Sequence, residues 1–146
     1  MKSLIVTLLL CSVASFAQAE KSEKFGNVEV HYNALTTDEL LPEVARSYKI
    51  ERSKTRGLLT IAVLKKNKMG VLVPSPANIS VFATNLTQQL SQISMREIKE
   101  GAAVYYLGEF RVAPPDTLTF NSTVEIKGDP KREVKFNQQF FKLARS

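Results

Sequence analysis

The chain offers few residues that could carry out nucleophilic or acid–base chemistry. His31 is the only histidine, and a catalytic histidine needs a nucleophile or an orienting carboxylate beside it in space. The sequence contains no nucleophile-elbow, Ser-x-x-Lys, phosphate-loop or dinucleotide-binding motif. We therefore predict no catalytic residue and no cofactor, and we interpret His31 as a solvated or rim residue.

Metal ligands are equally scarce. Cys11 is the only cysteine and lies in a segment that we expect to be removed, whereas a zinc site takes several His or Cys ligands. We predict no metal site. One enzymatic alternative remains, because Glu97, Glu100 and Glu109 flank one predicted hairpin and two carboxylates are sufficient for glycoside hydrolysis.

The most distinctive chemical feature is a basic segment, residues 46–56. Within its eleven positions lie five cations: Arg46, Lys49, Arg52, Lys54 and Arg56. Only Glu51 opposes them there. Basic clusters raise the local concentration of phosphate or carboxylate groups, so we predict partner binding at these five residues. The competing interpretation is a solvated loop that keeps the protein soluble.

The geometry of the basic segment depends on its loop. If the loop into the following strand is extended, Arg52, Lys54 and Arg56 would share one side, because side chains alternate along extended backbone. A second basic group, at positions 65, 66 and 68, lies about 30 Å from Arg56 along an extended strand. That distance exceeds the Debye length of about 8 Å, so the two groups would act as separate sites.

The N-terminus predicts export. Lys2 precedes an apolar run over residues 4–14, and Ala17-Gln18-Ala19 matches the small-x-small pattern that signal peptidase recognises. The run is about half the roughly 20 residues that a membrane-spanning helix needs. Acylation at Cys11 is disfavoured because Leu10 stands where a small residue is expected. We predict a signal peptide over 1–19, a single domain over 20–146, a periplasmic location and no transmembrane segment.

Charge and size set further bounds. The formal net charge is +6, with 20 Lys and Arg against 14 Asp and Glu, and removal of Lys2 leaves +5. This bias is compatible with an anionic partner without requiring one, and we expect no nucleic-acid partner. A chain of this length buries roughly two thirds of its unfolded surface as one domain, and so needs no disulfide.

Short alternations of apolar and polar residues dominate the chain, as is typical of half-buried strands. The clearest alternations cover residues 28–34 and 118–126. Residues 58–64 alternate little and predict a central strand that is covered on both sides. Further strands are predicted over 77–85, 89–98, 102–112 and 134–140. Between them, Pro74 and Pro76 favour a sheet edge or a bend.

One helical segment interrupts the strands. Pro42 suits the first turn of a helix, and Leu41, Val44, Ala45 and Tyr48 recur at helical spacing. We predict a short helix over 42–48. Seven strands with this one insertion predict an all-β protein, a seven-stranded immunoglobulin-like antiparallel sandwich, with a small β-barrel as the alternative.

An apolar patch is a second candidate for contact with a partner. Tyr105, Leu107, Phe141 and Leu143 face away from the predicted inner side of their strands. Exposed together, they would mark an interaction surface. Cover by a loop, by the short helix or by the second sheet is the more usual outcome.

Several ordered blocks of the sequence resemble one protein family. The blocks are Val30-His31-Tyr32-Asn33-Ala34, Pro42-Glu43-Val44-Ala45, Arg52-Ser53-Lys54, Arg56-Gly57, Arg96-Glu97-Ile98 and Tyr105-Tyr106-Leu107. Together they resemble the bacterial family called Domain of Unknown Function 4426, from about Phe25 to the last strand. The resemblance implies a small exported all-β protein of Gram-negative bacteria, and it implies no activity or catalytic residue. Lys49 departs from the family pattern, which has glycine after the tyrosine.

Taken together, these patterns favour an exported envelope protein that binds a partner and has no catalytic activity. The partner would be an envelope protein or an anionic envelope component. The alternative is an enzyme with an unrecognised carboxylate-based site.

Overall fold

The computed structural model of the protein describes residues 21–142. The strands of this part are β1 (Lys21–Phe25), β2 (Val28–Thr36), β3 (Arg56–Lys66), β4 (Leu72–Pro74), β5 (Asn78–Thr84), β6 (Leu90–Ile93), β7 (Met95–Glu100), β8 (Ala103–Arg111), β9 (Asp116–Glu125) and β10 (Arg132–Phe140). A 3₁₀ helix, Thr37–Glu39, and one α-helix, α1 (Pro42–Ser47), lie between β2 and β3. The predicted all-β class and the short inserted helix are confirmed. The predicted signal peptide, residues 1–19, lies outside the described residues.

The strands form two antiparallel sheets that do not close into a barrel. The first sheet has the order β1-β2-β3-β8-β7, with β4 also paired to β3. The second sheet has the order β10-β9-β5-β6. The predicted antiparallel sandwich is therefore confirmed, and the barrel alternative is wrong. Within the described residues, no helix is long and apolar enough to cross a membrane.

The predicted number of strands was too low, since residues 21–142 contain ten strands and not seven. The strands β1 and β4 were not predicted. Residues 89–98 were predicted as one strand, but the chain leaves the second sheet after β6 and enters the first sheet as β7. The sequence hides this switch because Ile93 and Met95 both contact the inter-sheet core, as they would on one uninterrupted strand.

The main core lies between the two sheets. Phe120 of β9 is fully buried at its centre, with its ring centroid 4.9 Å from that of Phe136 and 5.1 Å from that of Phe110. Leu59 and Ile61 of β3 are also fully buried there. Because β3 pairs with β2, β4 and β8, it is the central strand that the sequence predicted.

A second, smaller core covers the outer face of the first sheet. Residues 37–55, which we call the insert, lie across this face and pack Ala45 and Ile50 against Leu58 and Leu107. Side chains from both faces of β3 are therefore buried, as expected from the weak alternation of its sequence.

The insert also covers part of the predicted apolar patch. Leu107 is buried beneath the insert, so cover by the helical segment is the outcome there. Tyr105 keeps 36% of its surface exposed and Phe141 keeps 69%. Leu143 lies outside the described residues. The patch is thus reduced to separate aromatic rings.

Hydrogen bonds at Thr37 hold the two ends of the insert together. The Thr37 hydroxyl is fully buried and donates to the Glu51 carbonyl oxygen at 2.8 Å. It also accepts from the Ser53 backbone N–H at 2.8 Å. Nearby, Arg52 Nη2 donates to the Asp38 carbonyl oxygen at 2.8 Å. The second half of the basic segment is therefore fixed to the start of the insert.

Candidate functional site

Three of the five predicted cations extend from the insert into solvent. Arg46 lies in the last turn of α1, Lys49 follows that helix, and Lys54 lies in the turn before β3; all three are exposed. Their side chains form no ion pair within residues 21–142. Their charges are therefore available to a partner.

The other two predicted cations are held by contacts within the protein. Arg52 is fixed by its hydrogen bond to the Asp38 carbonyl. Arg56 forms an ion pair with Glu109 at 3.4 Å and lies 3.8 Å from Glu51. The opposing charge of Glu51 is evident from the sequence, whereas Glu109 reaches Arg56 only through strand pairing.

Arg52, Lys54 and Arg56 were expected to share one side only if the loop before β3 is extended, and this condition is not met. Residues 54 and 55 form a turn, so side-chain alternation does not extend through the loop. Lys54 and Arg56 line two different cavities at this end of the sandwich, and Thr55 borders both of them. Residues 54–56 of the basic segment thus lie between the two cavities.

Two arginines that are distant in sequence join the basic segment. Arg111, the last residue of β8, pairs directly with Arg56 across the first sheet. Arg96 of β7 donates a hydrogen bond to the carbonyl oxygen of Tyr48, next to Lys49. We call the five predicted cations together with Arg96 and Arg111 the basic surface. Neither arginine is near the basic segment in sequence, and only strand pairing brings the two residues to it.

The first cavity, which we call the arginine cavity, has a volume of about 560 Å³. Its charged lining consists of Arg56, Arg111, Glu51 and Asp116. Phe110 is among the apolar residues that line it. The residues that line the cavity therefore include two arginines, two acidic residues and Phe110. Because side chains alternate along a strand, those of Phe110 and Arg111 point to opposite faces of β8.

The second cavity lies on the other side of the 54–55 turn and has a volume of about 670 Å³. Its charged lining consists of three lysines and two acidic residues: Lys21, Lys54, Lys142, Asp38 and Glu39. Phe140 and Phe141 also line it. It belongs to the same end of the sandwich, and three lysines against two acidic residues leave its lining with a formal charge of +1.

The three carboxylates considered for catalysis do not form a pair. Glu97 accepts a hydrogen bond from the Tyr106 hydroxyl at 3.0 Å. Glu100 accepts one from Tyr48, and Glu109 pairs with Arg56. Register places Glu100 opposite residue 103 of β8, so Glu109 lies six residues away, or about 20 Å along the strand.

The tyrosines that contact these carboxylates have altered acidity. Burial is the main reason that the pKa of Tyr106 is raised, and its bond to Glu97 raises it further. The hydrogen bond to Glu100 is the main reason that the pKa of Tyr48 is raised. Both tyrosines therefore stay protonated at neutral pH and act as hydrogen-bond donors.

His31 lies at a half-buried position on β2, with Nε2 3.0 Å from a Glu29 oxygen. This position agrees with the rim interpretation. In the described part of the chain, no group of three His, Cys, Asp or Glu side chains is placed to hold a metal ion.

The second basic group lies at the far end of β3, where it is partly neutralised. Lys65 donates a hydrogen bond to Asp129 at 3.0 Å, and this bond is the main reason that the pKa of Asp129 is lowered. Lys66 and Lys68 are exposed. The far end provides natural control positions for experiments on the basic surface.

Lys49 occupies a strained position at the end of α1. Its φ is +56°, in the left-handed region that favours glycine. Its N–H donates to the Arg46 carbonyl, and the Ile50 N–H donates to the Ala45 carbonyl at 2.8 Å. These two bonds form a Schellman motif, in which the contact between Ala45 and Ile50 accompanies the left-handed residue.

Substitution of Lys49 by glycine should therefore stabilise the protein. The expected gain is about 1 kcal/mol in the free energy of unfolding, because glycine adopts this conformation without steric cost. Urea denaturation of the two proteins measures the difference. Lys49→Ala is the control, since it removes the same charge but keeps a Cβ, and a gain equal to that of glycine would show that charge is responsible and not backbone strain.

No curated protein matches the chain. The crystal structure of a DUF4426 family protein from Pseudomonas aeruginosa PAO1, at 2.09 Å resolution, matches with a TM-score of 0.72 and 32% sequence identity. The match covers 85% of this chain and 96% of the Pseudomonas chain.

A more distant structure has the same fold. FetP from the uropathogenic Escherichia coli strain F11, recombinantly expressed in the periplasm of E. coli BL21(DE3), matches with a TM-score of 0.61 over 86% of this chain and 95% of its own. Its sequence identity is 12%, so the likeness concerns the fold alone. The model of the family described as "Domain of unknown function (DUF4426)" matches residues 22–142. The chain therefore belongs to the DUF4426 family.

Proposed function

We propose that the protein is an exported binding module of the bacterial cell envelope, which holds an anionic envelope component on its basic surface and catalyses no reaction. One observation carries this proposal. Strand pairing adds Arg111 at one end of the basic segment, and Arg96 lies against the Tyr48 carbonyl at the other end. The fold thus concentrates cations beyond what the local sequence contains.

The availability of these charges supports the same proposal. Arg46, Lys49, Lys54 and Arg111 are exposed and form no ion pair within residues 21–142. Cations without intramolecular partners attract phosphate or carboxylate groups most strongly at low ionic strength. Because the ends of the insert are bonded to each other at Thr37, Arg46, Lys49 and Lys54 project from a positioned segment, and Arg111 projects from β8.

The carboxylate-based enzyme is less well supported. Glu97, Glu100 and Glu109 each contact a different partner. A glycosidase needs two carboxyl groups about 5–10 Å apart across its substrate, whereas Glu100 and Glu109 are separated by about 20 Å along their strands. The observed placement favours binding over hydrolysis.

Export is supported by the N-terminal pattern of the sequence. The positive residue, the apolar run and the Ala-x-Ala site together predict cleavage after Ala19. The structural similarity to FetP, which was expressed in the periplasm, is in line with this location.

The proposal can be tested with a variant that removes the four available charges. Arg46→Gln, Lys49→Gln, Lys54→Gln and Arg111→Gln together should weaken binding of the mature protein to phosphatidylglycerol-containing vesicles roughly hundredfold or more at low salt. The reason is that each cation near an anionic surface contributes about 1 kcal/mol. Cosedimentation across a salt series measures this, and binding of the unmodified protein should fall as salt rises.

A charge-matched control separates the basic surface from net charge. Lys24, Lys66, Lys68 and Lys127 are exposed near the turns at the opposite end of the sandwich, and their replacement by Gln removes the same four charges. This control should bind the vesicles nearly as well as the unmodified protein. Equal losses in the two variants, or binding that is insensitive to salt, would contradict the proposal.

A further inference from the structure

The outer face of the second sheet consists mainly of polar side chains without charge. Because side chains alternate along a strand, every second residue of β5, β6, β9 and β10 points away from the core. The uncharged polar residues near the middle of this face are Thr84, Gln92, Thr119, Asn121 and Asn137. Its charged residues, Glu125, Glu133 and Lys135, lie toward β10 and one end of the strands. The middle of the face therefore offers amides and hydroxyls.

Phe82 of β5 places an aromatic ring among these polar groups. It keeps 38% of its surface exposed. Strand register sets Gln92 of β6 directly beside it on one side and Asn121 of β9 on the other. Residues directly opposite each other have Cβ atoms about 5 Å apart, so two amides flank one ring. Neither amide forms a hydrogen bond within residues 21–142, and both are available to a ligand.

The neighbouring row of the sheet adds an apolar side chain and an oriented amide. Leu90 is paired with Thr84 and is therefore a diagonal neighbour of Phe82, within reach of its ring. It is 65% exposed. The Thr119 hydroxyl donates a hydrogen bond to Oδ1 of Asn137 at 2.8 Å. This bond orients the amide of Asn137 and leaves its two N–H donors for a ligand.

A chain of sugar rings matches this combination of groups. The C–H-bearing face of a pyranose ring is apolar and packs on the negative face of an aromatic ring. Sugar hydroxyls both donate and accept hydrogen bonds, and so do side-chain amides. Neighbouring strands are about 4.8 Å apart, which is close to the length of one pyranose unit in an extended chain. A glycan that crosses the strands would meet Gln92, Phe82 and Asn121 with successive units.

Charge and composition argue against other partners for this face. An anionic surface attracts cations, but the outward residues that adjoin Phe82 on β5, β6 and β9 include no cation. The centre of a protein interface is usually rich in apolar and aromatic residues. Here Phe82 and Leu90 are surrounded by amides and hydroxyls. The face therefore fits an uncharged ligand that has apolar and hydroxyl-bearing sides.

We propose that the outer face of the second sheet binds a neutral, extended strand of N-acetylated sugars, as in the glycan of the bacterial cell wall. One sugar ring packs on Phe82, and the methyl group of an acetamido substituent packs on Leu90. Gln92 and Asn121 form hydrogen bonds to the hydroxyl and acetamido groups. The inference goes beyond the proposed function, because it concerns a different face of the protein and an uncharged ligand.

The experiment titrates tetra-N-acetylchitotetraose into the mature protein and follows binding by isothermal titration calorimetry. Phe82→Ala should weaken binding about tenfold or more, because the ring contact is lost. Phe82→Trp keeps an aromatic ring and should bind at least as tightly. Asn121→Ala should weaken binding severalfold through the loss of hydrogen bonds. Tyr105→Ala is the matched control, since Tyr105 is 36% exposed on the first sheet, and it should leave binding unchanged.

Two variants separate this face from the basic surface. The fourfold variant that removes the available cations should bind the tetrasaccharide like the unmodified protein. Phe82→Ala should bind anionic vesicles like the unmodified protein. Failure of the glycan interaction and failure of the vesicle interaction are thereby measured independently.

A second arm tests the acetamido group. Cellotetraose has the same linkage and length without acetamido groups, so it should bind more weakly than tetra-N-acetylchitotetraose. Tighter or equal binding of cellotetraose would overturn the proposal, as would an unmodified protein that shows no saturable binding or a Phe82→Ala variant that binds normally. Self-association that Phe82→Ala abolishes, measured by analytical ultracentrifugation, would assign the face to a second copy of the chain and would also overturn the proposal.

Discussion

Replacement of Thr37 by valine should lower the free energy of unfolding by about 2–4 kcal/mol. The change keeps the side-chain shape but removes the hydroxyl that bonds the Glu51 carbonyl and the Ser53 N–H. Each backbone group left without a partner costs about 1–3 kcal/mol when it is buried. Urea denaturation measures the loss of stability. Hydrogen exchange should show faster exchange at Ser53, since the two ends of the insert are no longer held together.

Thr37→Ser is the matched control for this prediction, because it keeps the hydroxyl and removes only a methyl group. It should retain most of the stability and the slow exchange at Ser53. The hydroxyl would have no special role if the serine and valine variants lost stability equally. The valine variant should also bind anionic vesicles less tightly, because the released segment no longer holds Lys54 in place.

Replacement of Gly57 by alanine should destabilise the protein by about 1–3 kcal/mol. Gly57 and Phe110 are partners across β3 and β8, and the Phe110 ring occupies the place where a Cβ at position 57 would stand. A glycine covered by a cross-strand aromatic ring is a recurrent way to pack a sheet. The added methyl group would displace a ring that also packs on Phe120 and Phe140, and overpacking of this kind has a cost of that size.

A double-mutant cycle checks this explanation. Phe110→Leu destabilises the protein on its own, but in its presence Gly57→Ala should cost much less, because the smaller side chain leaves room for the methyl group. Thermal unfolding of the four proteins gives the coupling energy. Additive effects would show that the cost at Gly57 comes from the backbone and not from the ring.

Much of the fold could be predicted because burial of one face of a strand or helix makes apolar residues recur periodically in the sequence. Residues 118–126 alternate because one side of β9 faces the core and the other faces solvent. Residues 58–64 lack this alternation because the insert covers the outer face of β3. Pro42 and the apolar spacing after it indicated α1 to within one residue.

The strands β1 and β4 and the boundary between β6 and β7 were not predicted, because they produce no comparable periodic pattern of apolar residues. None of the five residues of β1 is fully buried, and β4 has only three residues and contains a proline. The switch of sheets between β6 and β7 keeps the same inward positions on both sides of Ser94. These strands and the switch of sheets depend on which strands pair with each other. Strand pairing joins residues far apart in sequence, so a short stretch of sequence does not reveal it.

The candidate site also combines residues that the local sequence reveals with residues that only strand pairing brings together. The five clustered cations were evident because they are close in sequence. Arg96, Arg111 and Glu109 were not, because they reach the insert and the start of β3 only through the arrangement of β7 and β8. The basic segment is therefore predictable from the sequence, whereas its neighbours and the arginine cavity depend on how the strands assemble at this end of the sandwich.

The order in which the chain visits the two sheets has a consequence for folding. After β4 the chain enters the second sheet for β5 and β6, returns to the first for β7 and β8, and finishes in the second with β9 and β10. Neither sheet is a continuous stretch of chain, so neither can be completed before the other has begun. The pairs β3–β8 and β5–β9 also join segments far apart in sequence, which makes assembly slow compared with a fold built from local contacts. The two sheets thus form one cooperative unit, and unfolding of either sheet would disrupt both cavities and the basic surface together.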